Sequence, residues 1–164
     1  MIELIPYTNI YEDDTLQRIS DFFGFHHALI QRESQQLEEF NETLSEWCTN
    51  PNALFIIMDG DVSAGFVRIC YRGPNVAWIE DIFVDSDKRK RGIGSAAILA
   101  VDEIVKAVPG YTAVCLDVSP RNTAALRLYY KLGYADLSLI TVRKELRESK
   151  QGEVTDFLGL RFSY

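Results

Sequence analysis

Long apolar runs, paired cysteines and a surplus of cations are all missing from this sequence of 164 residues. No stretch approaches the roughly 20 apolar residues that span a bilayer. The opening Met1-Ile2-Glu3-Leu4 carries an early acid and no leader pattern, so no membrane association is expected. Cysteine is scarce: Cys48, Cys70 and Cys115 are odd in number and lack metal-ligand spacing. That speaks against a disulfide framework and fits reduced thiols in a cytoplasmic protein. The two histidines, His26 and His27, have no metal partner set; surface or packing roles are expected for them, or a place lining a substrate cleft, and no metal is expected. Lys and Arg number 17 against 24 Asp and Glu, a net charge of −7 with no broad basic face, which argues against nucleic acid as a partner. Internal repeats, low-complexity tracts and linkers are absent too.

What remains is a hydrophobic content of 47%, enough for one buried core and too short a chain for two ordinary domains, so a single domain over residues 1–164 is expected. Residues 2–7 read as a strand. Asp13 and Asp14 open a helix with Leu16, Ile19, Phe22 and Phe23 inward, and a second helix is expected over 35–48 with Leu37, Phe40, Leu44 and Trp47 inward. Residues 53–58 and 62–71 flank Asp59-Gly60-Asp61 as a hairpin, and 76–84 make a third strand. Ile93, Ala97, Ala100, Val101, Ile104, Val105 and Val108 form one helical stripe, stopped by Pro109-Gly110. A strand at 112–118, a helix at 123–132, a strand at 137–142, a polar connection at 148–153 and an edge strand at about 157–164 complete an α/β (α+β) domain.

Charge is unevenly spread. Residues 1–50 carry ten acids against Arg18 and Arg32, which favours a cationic substrate or else marks the solvated faces of helices. Four consecutive cations, Lys88 to Arg91, precede Gly92-Ile93-Gly94 between the third strand and the long helix. Glycines let the backbone approach a ligand, and the unpaired N–H groups of a helix's first turn point at it, so this loop reads as a phosphate site. By itself it fits two cofactors. Gly92-x-Gly94-x-x-Ala97, with Asp117 twenty residues on, satisfies the dinucleotide pattern. Against that, seven residues (85–91) part Val84 from Gly92, whereas a dinucleotide loop turns directly from its strand, and the hairpin upstream leaves little room for a doubly wound sheet.

A second motif lies about thirty residues downstream: Asn122-x-x-Ala125-x-x-Leu128-Tyr129-x-x-Leu132-Gly133-Tyr134. Together with Arg89-x-x-Gly92-x-Gly94 it resembles the GNAT superfamily of N-acetyltransferases, over residues 53–146. The resemblance implies a mixed, mostly antiparallel sheet of about six to seven strands flanked by about four helices. Substrate-side helices would lie at about 12–48 and an acetyl-CoA-binding core at about 76–134. It implies that Ile82, Phe83 and Val84 offer backbone groups to the pantetheine arm, that Arg89, Lys90, Arg91, Gly92, Ile93, Gly94 and Ser95 wrap the pyrophosphate, and that Asn122 lies near the cofactor arm. Asn122 has a plainer role available as helix N-cap.

Amide formation from a thioester needs a neutral amine, so a carboxylate that removes the ammonium proton is useful. Glu80-Asp81, ahead of the loop, resembles the acid pair of polyamine and streptothricin acetyltransferases, which implies Glu80 as base and Asp81 as anchor for a small cationic amine. Adjacent strand residues point to opposite faces, so one acid should face the cleft and the other the far side, unless a bulge intervenes. By the same resemblance Tyr129 is the general acid for the leaving thiolate, and the N–H of Phe83 the oxyanion donor. Cys115, mid-strand, reads as a structural thiol. A peptide N-terminus or lysine as acceptor, and a non-catalytic acyl-CoA-binding domain, are the alternatives, and a homodimer is an option since dimers are common in the resembling family.

Overall fold

The computed structural model describes residues 1–30, 37–142, 144, 146 and 153–163, with the side chains of residues 26–38 outside the description. The side chains of His26 and His27, the start of the expected second helix and most of the 148–153 connection fall outside the described parts. The chain forms two compact units, Met1–Asp117 and Val118–Tyr164.

In the first unit, β1 (Ile2–Pro6) leads through a short 3-10 turn into α1 (Glu12–Ile30), whose first turn holds Glu12, Asp13 and Asp14 against the positive end of the helix dipole. α2 (Leu37–Trp47) follows. β2 (Asn52–Asp59) and β3 (Val62–Cys70) form the hairpin read from the turn residues, and Gly60 adopts the φ of 65° that a two-residue turn demands. β4 (Val76–Val84), α3 (Ile93–Lys106) and β5 (Ala113–Leu116) complete the unit. The sheet runs β1-β2-β3-β4-β5, antiparallel throughout except for the parallel β4–β5 pair that α3 connects.

Strand alternation supplies two apolar faces. Ile19, Phe22, Phe40, Leu44 and Trp47 from α1 and α2 join Leu54, Phe66 and Phe83 in one cluster. The intervening Val67, Ile69, Ala77 and Ile79 are buried as well, and α3 packs on β1, β3, β4 and β5 with Ile93, Ala97, Ile98, Val101 and Val105 inward. Ile98 was not on the stripe read from the sequence. A mostly antiparallel sheet with one parallel pair is not the doubly wound sheet of a dinucleotide domain.

The second unit holds α4 (Thr123–Lys131) and a hairpin of β6 (Val154–Phe157) and β7 (Leu160–Ser163), which pair only with each other among the described residues. Three expectations change. Among the described residues there are seven strands, in sheets of five and two. The single edge strand expected at 157–164 is split by Leu158 and Gly159, whose φ values of 51° and 76° turn the chain back on itself. The strand expected at 137–142 is not formed. Its alternation slips at Leu139-Ile140, and an apolar run becomes a strand only where a neighbour takes up its backbone hydrogen bonds.

Candidate active site

β4 carries the acid pair, and its ladder with β3 sets where those acids point. Arg68 faces Asp81 and Ile69 faces Ile79, so Glu80 is the extra residue of a bulge. Trp78, Asp81 and Phe83 stand opposite Cys70, Arg68 and Phe66, on the face that α1 and α2 cover. Trp78 and Asp81 are three residues apart and share a face only because of the bulge. The two carboxylates therefore lie on one side of the sheet, not on opposite sides as strict alternation requires.

Their partners differ. Asp81 is held on Oδ2 by Arg68, with Nε at 2.6 Å and Nη2 at 2.5 Å, while Arg68 also donates to Asn52 Oδ1 at 2.9 Å and lies 4.9 Å from the centre of the Trp47 ring. Burial pushes the Asp81 carboxyl above the ordinary range, Arg68 pulls it back and the charge of Glu80 adds to the rise. Glu80 pairs with Arg72, Oε1 to Nε at 3.1 Å, and the Arg72 guanidinium sits 4.1 Å from the Trp78 ring centre. The Glu80 pair is close but poorly aligned: Oε1 is shielded from solvent yet accepts no hydrogen bond from any described residue.

Beyond the acids, β5 pairs with β4 only over Val76–Ile79, so residues 80–84 have no ladder partner on that side among the described residues. The loop then turns through Ser86–Lys88 to Lys90 and Gly92, both left-handed at φ 61° and 81°. Gly92 is the N-cap of α3 and no side chain caps that helix, which leaves the first-turn N–H groups of Ile93, Gly94 and Ser95 for a ligand. A Cβ on Gly92 would meet nothing within 4 Å, and one on Gly94 only Val84 Cγ2 at 3.8 Å. The glycines thus leave open room above the helix end, which suits an anionic group. Arg89 donates to the Val84 carbonyl at 2.9 Å between the rings of Phe25 and Phe83, and Arg91 pairs with Asp59 at 3.2 Å. Lys90 has no side-chain partner among the described residues.

On the second unit, Asn122 Oδ1 accepts the Ala125 N–H at 3.2 Å and so caps α4. Burial raises the Tyr129 phenol above its ordinary range, and its ring lies 6.3 Å from that of Tyr134, whereas Tyr130 is exposed. Glu80, Asp81, residues 82–84 and residues 89–95 are thus gathered on the first unit, and Asn122 and Tyr129 on the second.

Residues 13–134 match the Acetyltransferase (GNAT) family. The chain belongs to this family. GNAT enzymes use acetyl-CoA, and this one is an acetyl-CoA-dependent acyltransferase. No curated protein matches its sequence. Its fold is that of the Bacillus subtilis protein YycN (17% identity over 90% of this chain and 100% of that one, TM-score 0.69). It is equally like the aminoglycoside N-acetyltransferase AAC(6')-Iy solved with CoA (18%, 90% and 96%, TM-score 0.69). An acetyltransferase from Thermus thermophilus is also similar (20%, 81% and 86%, TM-score 0.65). Among the described residues no cluster of His, Cys, Asp and Glu could hold a metal, and no helix is long and apolar enough to cross a membrane.

One part of this GNAT site escaped the sequence reading. Arg18 of α1 is buried and reaches Asp85, just after β4, with Nε to Oδ1 at 2.7 Å and Nη2 to Oδ2 at 3.0 Å. Lys88 adds Nζ to Asp85 Oδ2 at 3.0 Å and to the Ser63 carbonyl at 2.7 Å. Burial pushes the Asp85 carboxyl up, but the hydrogen bonds from Arg18 and Lys88 outweigh it and hold it below the ordinary range. Lys88, read with the other three cations as part of a phosphate site, instead ties down the root of the loop. The available signal was that Arg18 is one of two cations in the first fifty residues.

Proposed function

We propose that this GNAT enzyme passes the acetyl group of acetyl-CoA directly to the primary amine of a small cationic compound, such as a polyamine or an aminoglycoside-like molecule, within one cytoplasmic catalytic domain. The bulge that turns Glu80 and Asp81 to the same face, directly ahead of the uncapped end of α3, carries the reading. Two carboxylates on one side, each offset by an arginine, offer oxygen acceptors to a cationic substrate, and structural neighbours include two aminoglycoside acetyltransferases. In this reading the free edge of residues 82–84 pairs with the pantetheine amides, and residues 89–95 hold the pyrophosphate.

Glu80 takes the ammonium proton, directly or through one water, and the freed amine nitrogen attacks the thioester carbonyl. The ladder register turns the Phe83 N–H toward β3, so the oxyanion donor is instead an N–H of the free edge, at Ile82 or Val84. The departing thiolate takes its proton from the Tyr129 hydroxyl, which like any phenol is protonated at neutral pH. Asp81 has Oδ2 committed to Arg68, so Oδ1 is the atom left to anchor the substrate cation.

Thiol release measured against a panel of amines tests the proposal. Di- and polyamines should be the best acceptors. Glu80→Gln should lower kcat/KM about 100-fold near neutral pH, with the gap closing at high pH where the amine ionises unaided. Tyr129→Phe should lower turnover and leave CoA affinity nearly unchanged; equal turnover removes the acid role from Tyr129. If Asp81→Asn takes over the Glu80 phenotype, the two acids exchange roles, and a clear preference for peptide N-termini overturns the substrate class.

A further inference from the structure

We infer that the Trp78 ring and the Glu80 carboxylate form the recognition site for the substrate's ammonium group, and that Arg72 is a built-in occupant of that site which the substrate displaces. The inference rests on the proposed role of Glu80 and names what binds beside it.

Two arginines in this unit each meet a tryptophan and a carboxylate, and the contrast between them is informative. Arg68 is fixed: its side chain is 15% exposed, and it holds Asp81 and Asn52 through three contacts of 2.9 Å or less. Arg72, in the turn after β3, is 48% exposed. It lies over Trp78 at 4.1 Å and beside Glu80 at 3.1 Å without an aligned hydrogen bond to either. An aromatic face attracts cations, and a shielded carboxylate oxygen with no hydrogen bond calls for an N–H donor. Trp78 and Glu80 therefore make a site for a cation with N–H groups, and Arg72 fills it only loosely. An alkyl ammonium satisfies both walls: its charge meets the ring, and one of its N–H bonds points at Oε1. That N–H is the proton Glu80 must remove, so recognition and deprotonation use the same contact. Because Arg72 is tethered beside the site, it competes at high effective concentration and holds up the KM of cationic amines.

Kinetics of Arg72→Gln with a diamine test this. Removing a competing cation–π contact and a partly exposed ion pair should lower the amine KM about 5- to 30-fold, with kcat within about twofold of wild type. Tetramethylammonium, which has no N–H and cannot be acetylated, should inhibit competitively against the amine, and more strongly in Arg72→Gln. Trp78→Phe should bind it more weakly than wild type and Trp78→Leu more weakly still. Should Trp78→Leu fail to fold, Trp78→Phe and direct calorimetry with tetramethylammonium decide the point. A rise in KM, a parallel fall in kcat or no inhibition in any variant overturns the inference, as does a KM that rises only for amines carrying a carboxylate, which would make Arg72 an anion anchor. If acetyl-CoA binds but no amine is acetylated, the reading of Glu80 fails; if amines are acetylated and Arg72→Gln leaves KM unchanged, only the present inference fails.

Discussion

Gly65 and Glu80 are the residues whose backbone positions matter most. Gly65 faces Val84 across the β3–β4 ladder, and a Cβ built on it collides with the carbonyl oxygen of Phe83. Only glycine lets β3 approach β4 this closely. Gly65→Ala should therefore cost about 1–3 kcal/mol of stability as β4 is pushed outward, read as a lower denaturant midpoint, with coenzyme affinity reduced as well. Gly92 is different: its φ of 81° and the open space around it make its need conformational. The acid pair was legible in the sequence as a pair. Its partners Arg68 and Arg72 were not, because register, not spacing along the chain, sets them opposite or beside β4.

Among the elements, α1 and the loop after β4 are joined by charge as well as by apolar packing. The folded-state pKa of Asp85 is depressed, so the stability it contributes is present above its unfolded value of about 3.9 and is lost as pH falls through the lower folded one. Asp85→Asn should cost about 3 kcal/mol at neutral pH, since it leaves Arg18 and Lys88 facing each other without their counter-charge. The deficit relative to wild type should shrink below about pH 4, which thermal melts across pH would show. The C-terminal hairpin makes a separate prediction. Leu158 occupies the left-handed region at φ 51° beside Gly159, where a branched side chain is strained and Asn-Gly is favoured. Leu158→Asn should strengthen the hairpin by about 1 kcal/mol, measured as slower amide exchange in β6 and β7. The sequence reading ran one strand through this turn because Leu158, Leu160 and Phe162 alternate correctly and nothing in that pattern marks a reversal.

For the molecule as a whole, the net charge of −7 bears on the approach of substrate. An anionic protein attracts a cation over about one Debye length, roughly 10 Å at 0.1 M salt. The kcat/KM for a polyamine should fall as NaCl is raised from about 0.01 to 0.15 M, while that for a monoamine should fall less; equal sensitivity would show that the field of the protein does not steer the acceptor. The sequence by itself determined most of the architecture. Apolar periods of two and 3.6 residues, turn glycines and the two spaced motifs placed four helices, most strands, the glycine-rich turn into α3 and the family, because these are local signals written over a few consecutive residues. Tertiary structure alone decided which way Glu80 points, that Arg72 covers it, and that Arg18 and Lys88 lock Asp85 at the root of the loop. A bulge is one unpaired residue in a ladder and an ion pair joins positions as far apart as 18 and 85. Neither exists until strands pair and a helix is laid across them.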